Sequence, residues 1–333
     1  MNVRRHIPTA VLVGASVLGM LALSACSDSA GGRSDGKLNV TASFYPMEFL
    51  AKEIGKDHVQ VTDLTKPGTE PHDLELSPRQ IADLGESDAI VYLKGVQPAV
   101  DKAVQQSGVE HTVDAASLTE LKKHGAEVDG HDHTTGDNGT GHDAGEHGHE
   151  GHDHGHESDD NDPHLWLDPV KLAQVAKGVG KTLADADPAH QADYARNTDD
   201  LVKKLTDLDK KFRDGLKNKK SDTFITTHAA FGYLAERYGL TEEAINGIDP
   251  ESGDVSGSRM KELQKLAKDH HVNTVFFETL TSPAMARTLA KDLGVKTDVL
   301  DPIEGITEKS RGRNYVQVME SNLAALQKAL GAR

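Results

Sequence analysis

The chain has 333 residues, with 53 Asp and Glu against 37 Lys and Arg, and its formal net charge is -16 at pH 7. Aromatic residues make up only 4% of it. The acidity and the few aromatic residues argue against binding of nucleic acid through a basic face, and the length is sufficient for two domains.

The amino terminus predicts export and a lipid anchor. An arginine pair precedes an apolar run at residues 10–23 that is too short for a comfortable membrane span, and residues 1–25 are typical of a secretory signal peptide. The small residues before Cys26 resemble the lipobox of bacterial lipoproteins, in which the cysteine is lipidated. Cys26 is the single cysteine, so it has no partner for an internal disulfide. We expect an extracytoplasmic, membrane-anchored protein with a tether at residues 26–37.

Strands and helices alternate along residues 38–168, the predicted amino-terminal lobe. Prolines in first turns and β-branched apolar runs give the boundaries. The pattern predicts strands at residues 38–44, 58–64 and 89–93, and helices at 46–55 and 78–85.

An acidic, histidine-rich stretch, at about residues 124–162, interrupts this lobe. From residue 127 to 162 it has no Lys, Arg or aromatic residue, so it cannot bury enough apolar surface to offset the entropy of ordering. We expect a disordered loop that is either a weak reservoir of metal ions or an expendable spacer. The histidines of this secondary metal site are His131, His133, His142, His147, His149, His152, His154 and His156.

Residues 169–218 are predicted to be helical, with a break at Asp187 and Pro188. Beyond the break, large apolar residues recur at spacings of three and four. A helix over residues 188–218 would be about 45 Å long, which is sufficient to run along two domains.

Residues 219–333 form the predicted carboxyl-terminal lobe. Its predicted strands lie at residues 223–227, 272–277 and 295–300, and its helices at 229–238, 258–270, 282–293 and 314–330. Such alternation predicts an α/β fold of two lobes with mostly parallel sheets, joined by the long helix.

Three histidines lie near junctions between strands and helices. His72 follows the second strand, His164 precedes the long helical region, and His228 directly follows the strand at residues 223–227. In open α/β sheets the carboxyl ends of the strands line the ligand crevice. Their common location therefore predicts that the three side chains meet.

Acidic residues share this location. Asp301 and Glu304 follow the last strand, and Glu278 ends the strand before it. Three imidazoles and one carboxylate oxygen make a four-coordinate site suited to zinc. The other histidines of the predicted folded lobes and helices are interpreted as surface or capping residues: His58, His111, His124, His190, His270 and His271.

Five segments of the chain resemble a known family. They are PHDLE at 71–75, DPHLWLDP at 162–169, THAAF at 227–231, FE at 277–278 and DPIE at 301–304. They are similar to segments of the ZnuA-like solute-binding lipoproteins of bacterial zinc and manganese ABC importers, also called cluster A-I. The DPHLWLDP block is the most specific of them, and the resemblance covers nearly everything from residue 38 to the end.

The resemblance implies two α/β lobes joined by a rigid helix, with the metal in the interlobe cleft. It implies that His72 and His164 come from the first lobe, and that His228 and an acid come from the second. The family uses Asp or Glu as the acid, and we favour Glu304 over Asp301. Manganese members have a carboxylate where this chain has His228, so the third imidazole favours Zn²⁺.

The implied function is capture of Zn²⁺ outside the cytoplasm and delivery to an ABC permease and its ATPase in the membrane, without catalysis. The alternatives are a manganese- or iron-binding member of the family, a zinc-dependent hydrolase and a surface adhesin. A hydrolase would leave one zinc position open for water, and the sequence has no His-Glu-x-x-His motif. An adhesin would not need matched histidines at lobe junctions.

Overall fold

The computed structural model describes residues 36–125, 161–249 and 255–332. The predicted signal peptide, Cys26 and the eight histidines of the loop lie outside these ranges. Within the described ranges, no helix is long and apolar enough to cross a bilayer.

A parallel four-stranded sheet forms the centre of the first lobe. Its elements are β1 (Leu38–Ala42), α1 (Tyr45–Gly55), β2 (Val59–Asp63), α2 (Pro78–Gly85), β3 (Ala89–Tyr92), α3 (Pro98–Ser107) and β4 (His111–Asp114). The strand order is β2-β1-β3-β4, and Val40 of β1 pairs with Val61 on one side and Ala89 on the other. Central strands of this kind are buried on both faces, which explains their apolar runs.

A capping box fixes the start of α2. The Ser77 hydroxyl accepts a hydrogen bond from the Gln80 backbone N–H at 3.3 Å, and the Gln80 side chain accepts one from the Ser77 N–H at 3.1 Å. Pro78 occupies the first turn, where no N–H is needed. The cap anchors the far end of the long connection from β2, which carries His72.

The second lobe repeats this architecture. Its elements are β5 (Thr223–Thr226), α6 (Gly232–Tyr238), β6 (Thr241–Ala244), α7 (Gly257–Asp269), β7 (Thr274–Phe277), α8 (Ala284–Leu293), β8 (Lys296–Val299) and α9 (Tyr315–Leu330). The strand order is β6-β5-β7-β8, and all pairs are parallel. The prediction of two lobes with parallel sheets is therefore confirmed.

In the described part of the chain between the two sheets lie the helices α4 (Pro169–Ala186) and α5 (Gln191–Gly215). At about 37 Å, α5 is long enough to contact both lobes. Near its start, the Asn197 side chain donates to the Ile54 carbonyl of α1 at 2.9 Å. At its end, the Gln327 side chain of α9 donates to the Gly215 carbonyl at 3.1 Å. This helix is the predicted backbone helix.

The long helix differs from the prediction in its limits. The chain restarts after Asp187 as a short 3-10 turn, Pro188–His190, and α5 ends at Gly215 rather than near residue 218. Proline fits this first turn because its missing N–H is not required there.

Among the α-helices and strands of the described residues, α3, β4 and β6 were not predicted. The two strands have the sequences HTVD and TEEA, and each lies at the edge of its sheet. An edge strand pairs on one side only and tolerates polar residues, so it lacks the apolar run of a central strand. The helix predicted from residue 229 begins instead at Gly232, because residues 228–231 form the turn that places His228.

Candidate metal centre

The histidines and the acid reach the interlobe cleft from four connections. His72 lies in the connection between β2 and α2, and His164 precedes the 3-10 turn Leu165–Leu167 that leads into α4. His228 comes two residues after β5, and Glu304 lies in the connection after β8. The cleft thus receives side chains from both lobes.

These four side chains form a compact group in which one atom of each lies within 4.8 Å of the others. The Glu304 Oε1 atom lies 3.5 Å from Nε2 of His72, 3.5 Å from Nε2 of His164 and 3.6 Å from Nε2 of His228. The predicted convergence of the three imidazoles is therefore confirmed.

The donor atoms are buried and close together, but no hydrogen bonds join them. In the described part of the chain, no hydrogen-bond partner is found for Nε2 of the three histidines or for either oxygen of Glu304. His164 and Glu304 are fully buried, and the His72 side chain is 9% exposed. Buried polar atoms without partners are costly unless a cation or a proton binds them.

The separations fit a tetrahedral ion. Ligand atoms about 2.0–2.1 Å from zinc at tetrahedral angles lie roughly 3.3–3.4 Å apart, which is close to the observed 3.5–3.6 Å. Three imidazoles and one carboxylate are also a donor set that zinc prefers. These three separations, from Glu304 to each histidine, are therefore compatible with one such ion.

Two carboxylates contact the Nδ1 atoms of His164 and His228, on the opposite side of each ring from Nε2. Asp162 Oδ1 lies 2.8 Å from Nδ1 of His164, and Glu278 Oε1 lies 2.8 Å from Nδ1 of His228. An ionised carboxylate can only accept, so each Nδ1 carries the proton and each Nε2 is free for a metal ion. Such partners fix the ring orientation and raise the basicity of the ligand.

The charges within the group favour bound protons when metal is absent. Burial alone would lower the pKa of His164 and of His228, but the neighbouring carboxylates outweigh it and raise both pKa values. For Glu304 burial opposes the charged form, yet the close approach of the three histidine rings holds its pKa well below the usual range. The metal-free centre is thus a carboxylate among imidazoles that readily take up protons.

Asp301 and Glu278, the other predicted candidates, have different roles. Asp301 accepts from the Ile303 N–H at 2.8 Å and from the Thr279 hydroxyl at 3.1 Å, so both of its oxygens are occupied. Glu278 contacts Nδ1 of His228, the ring nitrogen that does not face the other ligands. Asp301 as a ligand is therefore not supported by the geometry, and Glu304 is the acid that faces the histidines.

The prediction of disorder is wrong for Asp162, which is fully buried. Burial alone would raise its pKa, but hydrogen bonds with His124 and His164 hold the pKa below its usual value. His124, interpreted from the sequence as a surface or capping residue, has its Nδ1 2.9 Å from Asp162 Oδ2. An acid two residues before a ligand histidine is the signal that could have identified Asp162.

Glu70 is a further acid near the group that the sequence did not indicate. Its Oε1 accepts from the His72 N–H at 3.4 Å. Burial, reinforced by the charges of Glu304 and Glu278, raises the pKa of Glu70 to about 9. Burial thus disfavours the charged form of Glu70 beside the centre.

Residues 40–329 match the family model described as the periplasmic component A of a zinc-uptake complex, ZnuA. The chain belongs to the ZnuA family. The resemblance inferred from the five sequence segments is thereby confirmed.

Two curated relatives with names that refer to zinc are similar to this chain over most of its length. The chain is 36% identical over 312 residues to the zinc-binding lipoprotein AdcA of Streptococcus pneumoniae, covering 92% of this chain but only 58% of that protein. It is also 36% identical over 320 residues to the high-affinity zinc uptake system protein ZnuA of Bacillus subtilis, covering 93% and 94%. The chain thus spans little more than half of AdcA and nearly all of ZnuA.

A solved structure supports the same fold. The crystal structure of the Zn(II)-bound ZnuA-like domain of S. pneumoniae AdcA superimposes with a TM-score of 0.69 at 32% identity. The match covers 89% of this chain and 99% of that domain.

Proposed function

We propose that this protein is the extracytoplasmic zinc-binding component of an ABC importer, which captures Zn²⁺ and delivers it to a membrane permease and its ATPase. The observation that carries the proposal is the group of buried donor atoms, three imidazole Nε2 and the Glu304 carboxylate, close together and without other partners. The printed names of the ZnuA and AdcA relatives support zinc as the ion.

The proposed capture requires the protein to bind zinc without catalysing a reaction. Zinc displaces the protons held by His164 and His228 and is then enclosed by one ligand from each of four connections. Four protein ligands fill a tetrahedral zinc ion, whereas a zinc hydrolase leaves one position for water. This favours a carrier over an enzyme.

The anchor belongs to the same proposal. Cys26 lies outside the described residues, and we assign it to lipidation on its position after the signal sequence. The AdcA relative is named a lipoprotein. A protein held at the membrane surface stays close to the permease that it serves.

Competitive titration with zinc and manganese tests the proposed ion, using protein that lacks residues 130–157. We expect one zinc ion per chain and much weaker manganese binding, because imidazole suits zinc and carboxylate suits manganese. Manganese binding as tight as that of zinc would instead support the manganese branch of the family.

Zinc affinity should fall in acid. A histidine binds metal only when neutral, and the pKa values of His164 and His228 are raised. Protons therefore compete at a higher pH than for ordinary imidazoles, and each protonated ring costs about tenfold per pH unit below its pKa. We expect a loss of about 10- to 100-fold between pH 7 and pH 6, measured by chelator competition. Equal affinity at pH 6 and pH 8 would contradict this.

The histidine-rich loop is proposed to be an accessory reservoir that gathers zinc for the cleft. Deletion of residues 130–157 should reduce the number of weakly bound zinc ions and leave the tightest one, because the four cleft ligands lie outside the deletion. Equilibrium dialysis counts the ions. Loss of the tight ion on deletion would show instead that the loop supplies a main ligand, and an unchanged count would make it a spacer.

A further inference from the structure

Asp162 is fixed on all sides at the boundary between the lobes. Its Oδ1 accepts from both the Nδ1 and the backbone N–H of His164, at 2.8 and 2.9 Å. Its backbone N–H donates to the Lys122 carbonyl at 2.9 Å, and its own carbonyl accepts from the Tyr233 hydroxyl at 2.8 Å. Only Oδ2 remains, and that atom lies 2.9 Å from Nδ1 of His124.

His124 reaches Asp162 across the surface of α6 in the second lobe. Its ring lies edge-on to Tyr233, with centroids 4.6 Å apart at 86°. Its Nε2 lies 3.2 Å from Oε2 of Glu236. A Cβ at Gly232 would lie 2.4 Å from Cβ of His124, so glycine at that position is what allows the approach.

We propose that His124 is a positioning residue of the metal centre, which holds the Asp162 carboxylate on His164 and thereby lengthens the lifetime of bound zinc. The proposal rests on the zinc-binding function proposed above. It assigns His124 no contact with the ion.

The physical argument concerns the second oxygen of the carboxylate. With one oxygen bound to His164, an Oδ2 without a donor would be a buried charged atom left unsatisfied, which costs about 1–3 kcal/mol or more. The carboxylate would then turn to find another donor and would leave Nδ1 of His164 less firmly held. Carboxylates behind metal-binding histidines typically contribute 10- to 100-fold to metal affinity, and His124 acts one step further out.

Two substitutions separate the contacts of His124. In His124→Asn the amide nitrogen takes the place of Nδ1 and can still donate to Asp162, whereas in His124→Gln it takes the place of Nε2 and can reach only Glu236. We expect zinc to dissociate about three- to tenfold faster from His124→Ala and His124→Gln, and at nearly the wild-type rate from His124→Asn. Chelator-driven release measures these rates.

Replacement of zinc by cobalt(II) gives a second measurement, because the visible spectrum of bound cobalt depends on the position of its ligands. We expect a shifted spectrum in His124→Gln and a wild-type spectrum in His124→Asn. His58→Ala is the matched control, because His58 forms a similar pair with Asp193, with Nε2 to Oδ2 at 2.8 Å, away from the metal ligands. It should change neither the release rate nor the spectrum.

Each outcome decides the matter. Wild-type release from His124→Ala would overturn the proposal, and so would rapid release from His124→Asn with normal release from His124→Gln, which would assign the effect to Glu236 and the lobe contact. Failure of the wild-type protein to bind zinc tightly would overturn the proposed function itself and is seen before any variant is compared.

Discussion

Replacement of His164 by alanine should weaken zinc binding on the order of 100- to 1,000-fold. Zinc in the four-ligand structural sites of zinc-finger peptides is held by about 10–16 kcal/mol, so one of four ligands contributes about 2.5–4 kcal/mol, at 1.4 kcal/mol for each factor of ten. The loss also leaves the Asp162 carboxylate buried without its main partner. Competition with a chelator of known affinity measures the change.

His111→Ala is the control for this experiment, because His111 lies on the edge strand β4, outside the group of four. Cells that depend on the protein should grow poorly under zinc limitation with His164→Ala and normally with His111→Ala. His228→Ala should behave as His164→Ala does. If either ligand variant bound zinc as the wild type does, the site would lie elsewhere. If the protein were a surface adhesin, none of these substitutions would change its function.

Replacement of Trp166 by alanine should destabilise the fold by about 3–5 kcal/mol, the range for a fully buried large aromatic side chain. Trp166 is completely buried, and its ring lies edge-on to Phe44 with centroids 5.0 Å apart. Its Nε1 donates to the Pro302 carbonyl at 2.7 Å, and its own carbonyl accepts from the Tyr315 hydroxyl at 2.6 Å. The side chain thus joins the two lobes beneath the metal centre, and urea unfolding of the metal-free protein measures the loss.

Two further variants separate packing from the hydrogen bond. Trp166→Phe keeps most of the ring but leaves the Pro302 carbonyl unpaired, at a cost of about 1–3 kcal/mol, and it should also weaken zinc binding because Pro302 precedes Glu304 by two residues. Phe212→Ala removes an equally buried ring that stacks on Tyr238, with centroids 5.1 Å apart, and should destabilise without affecting zinc. A change below about 1 kcal/mol in Trp166→Ala would contradict the role assigned to it.

His228 could be predicted because its location directly after a strand follows from topology, whereas His72 and His164 lie further along their connections, in the segments that resemble the family at 71–75 and 162–169. Parallel strands end at one edge of a sheet, so residues just past those strands converge whatever the details of the turns. Their neighbours could not be predicted in this way. His124 lies far along the chain from the acidic side chains that it contacts. Its partner Asp162 lies 38 residues away, and Glu236 lies 112 residues away.

The choice between Asp301 and Glu304 depended on local backbone geometry. Both acids lie in one short connection, and Ile303 between them has a positive φ of 61°, which is uncommon for a residue with a branched side chain. That turn directs Asp301 to backbone and hydroxyl donors and Glu304 to the histidines. Residue types and spacing alone do not specify such a conformation.

The hydrogen bonds that join residue 122 or 124 to Asp162 hold the two ends of the intervening segment close together. Closing a longer or shorter segment between ends already held together changes the free energy only slowly with length. A fluorescent protein whose termini are adjacent could therefore replace residues 126–160 with little effect on the fold.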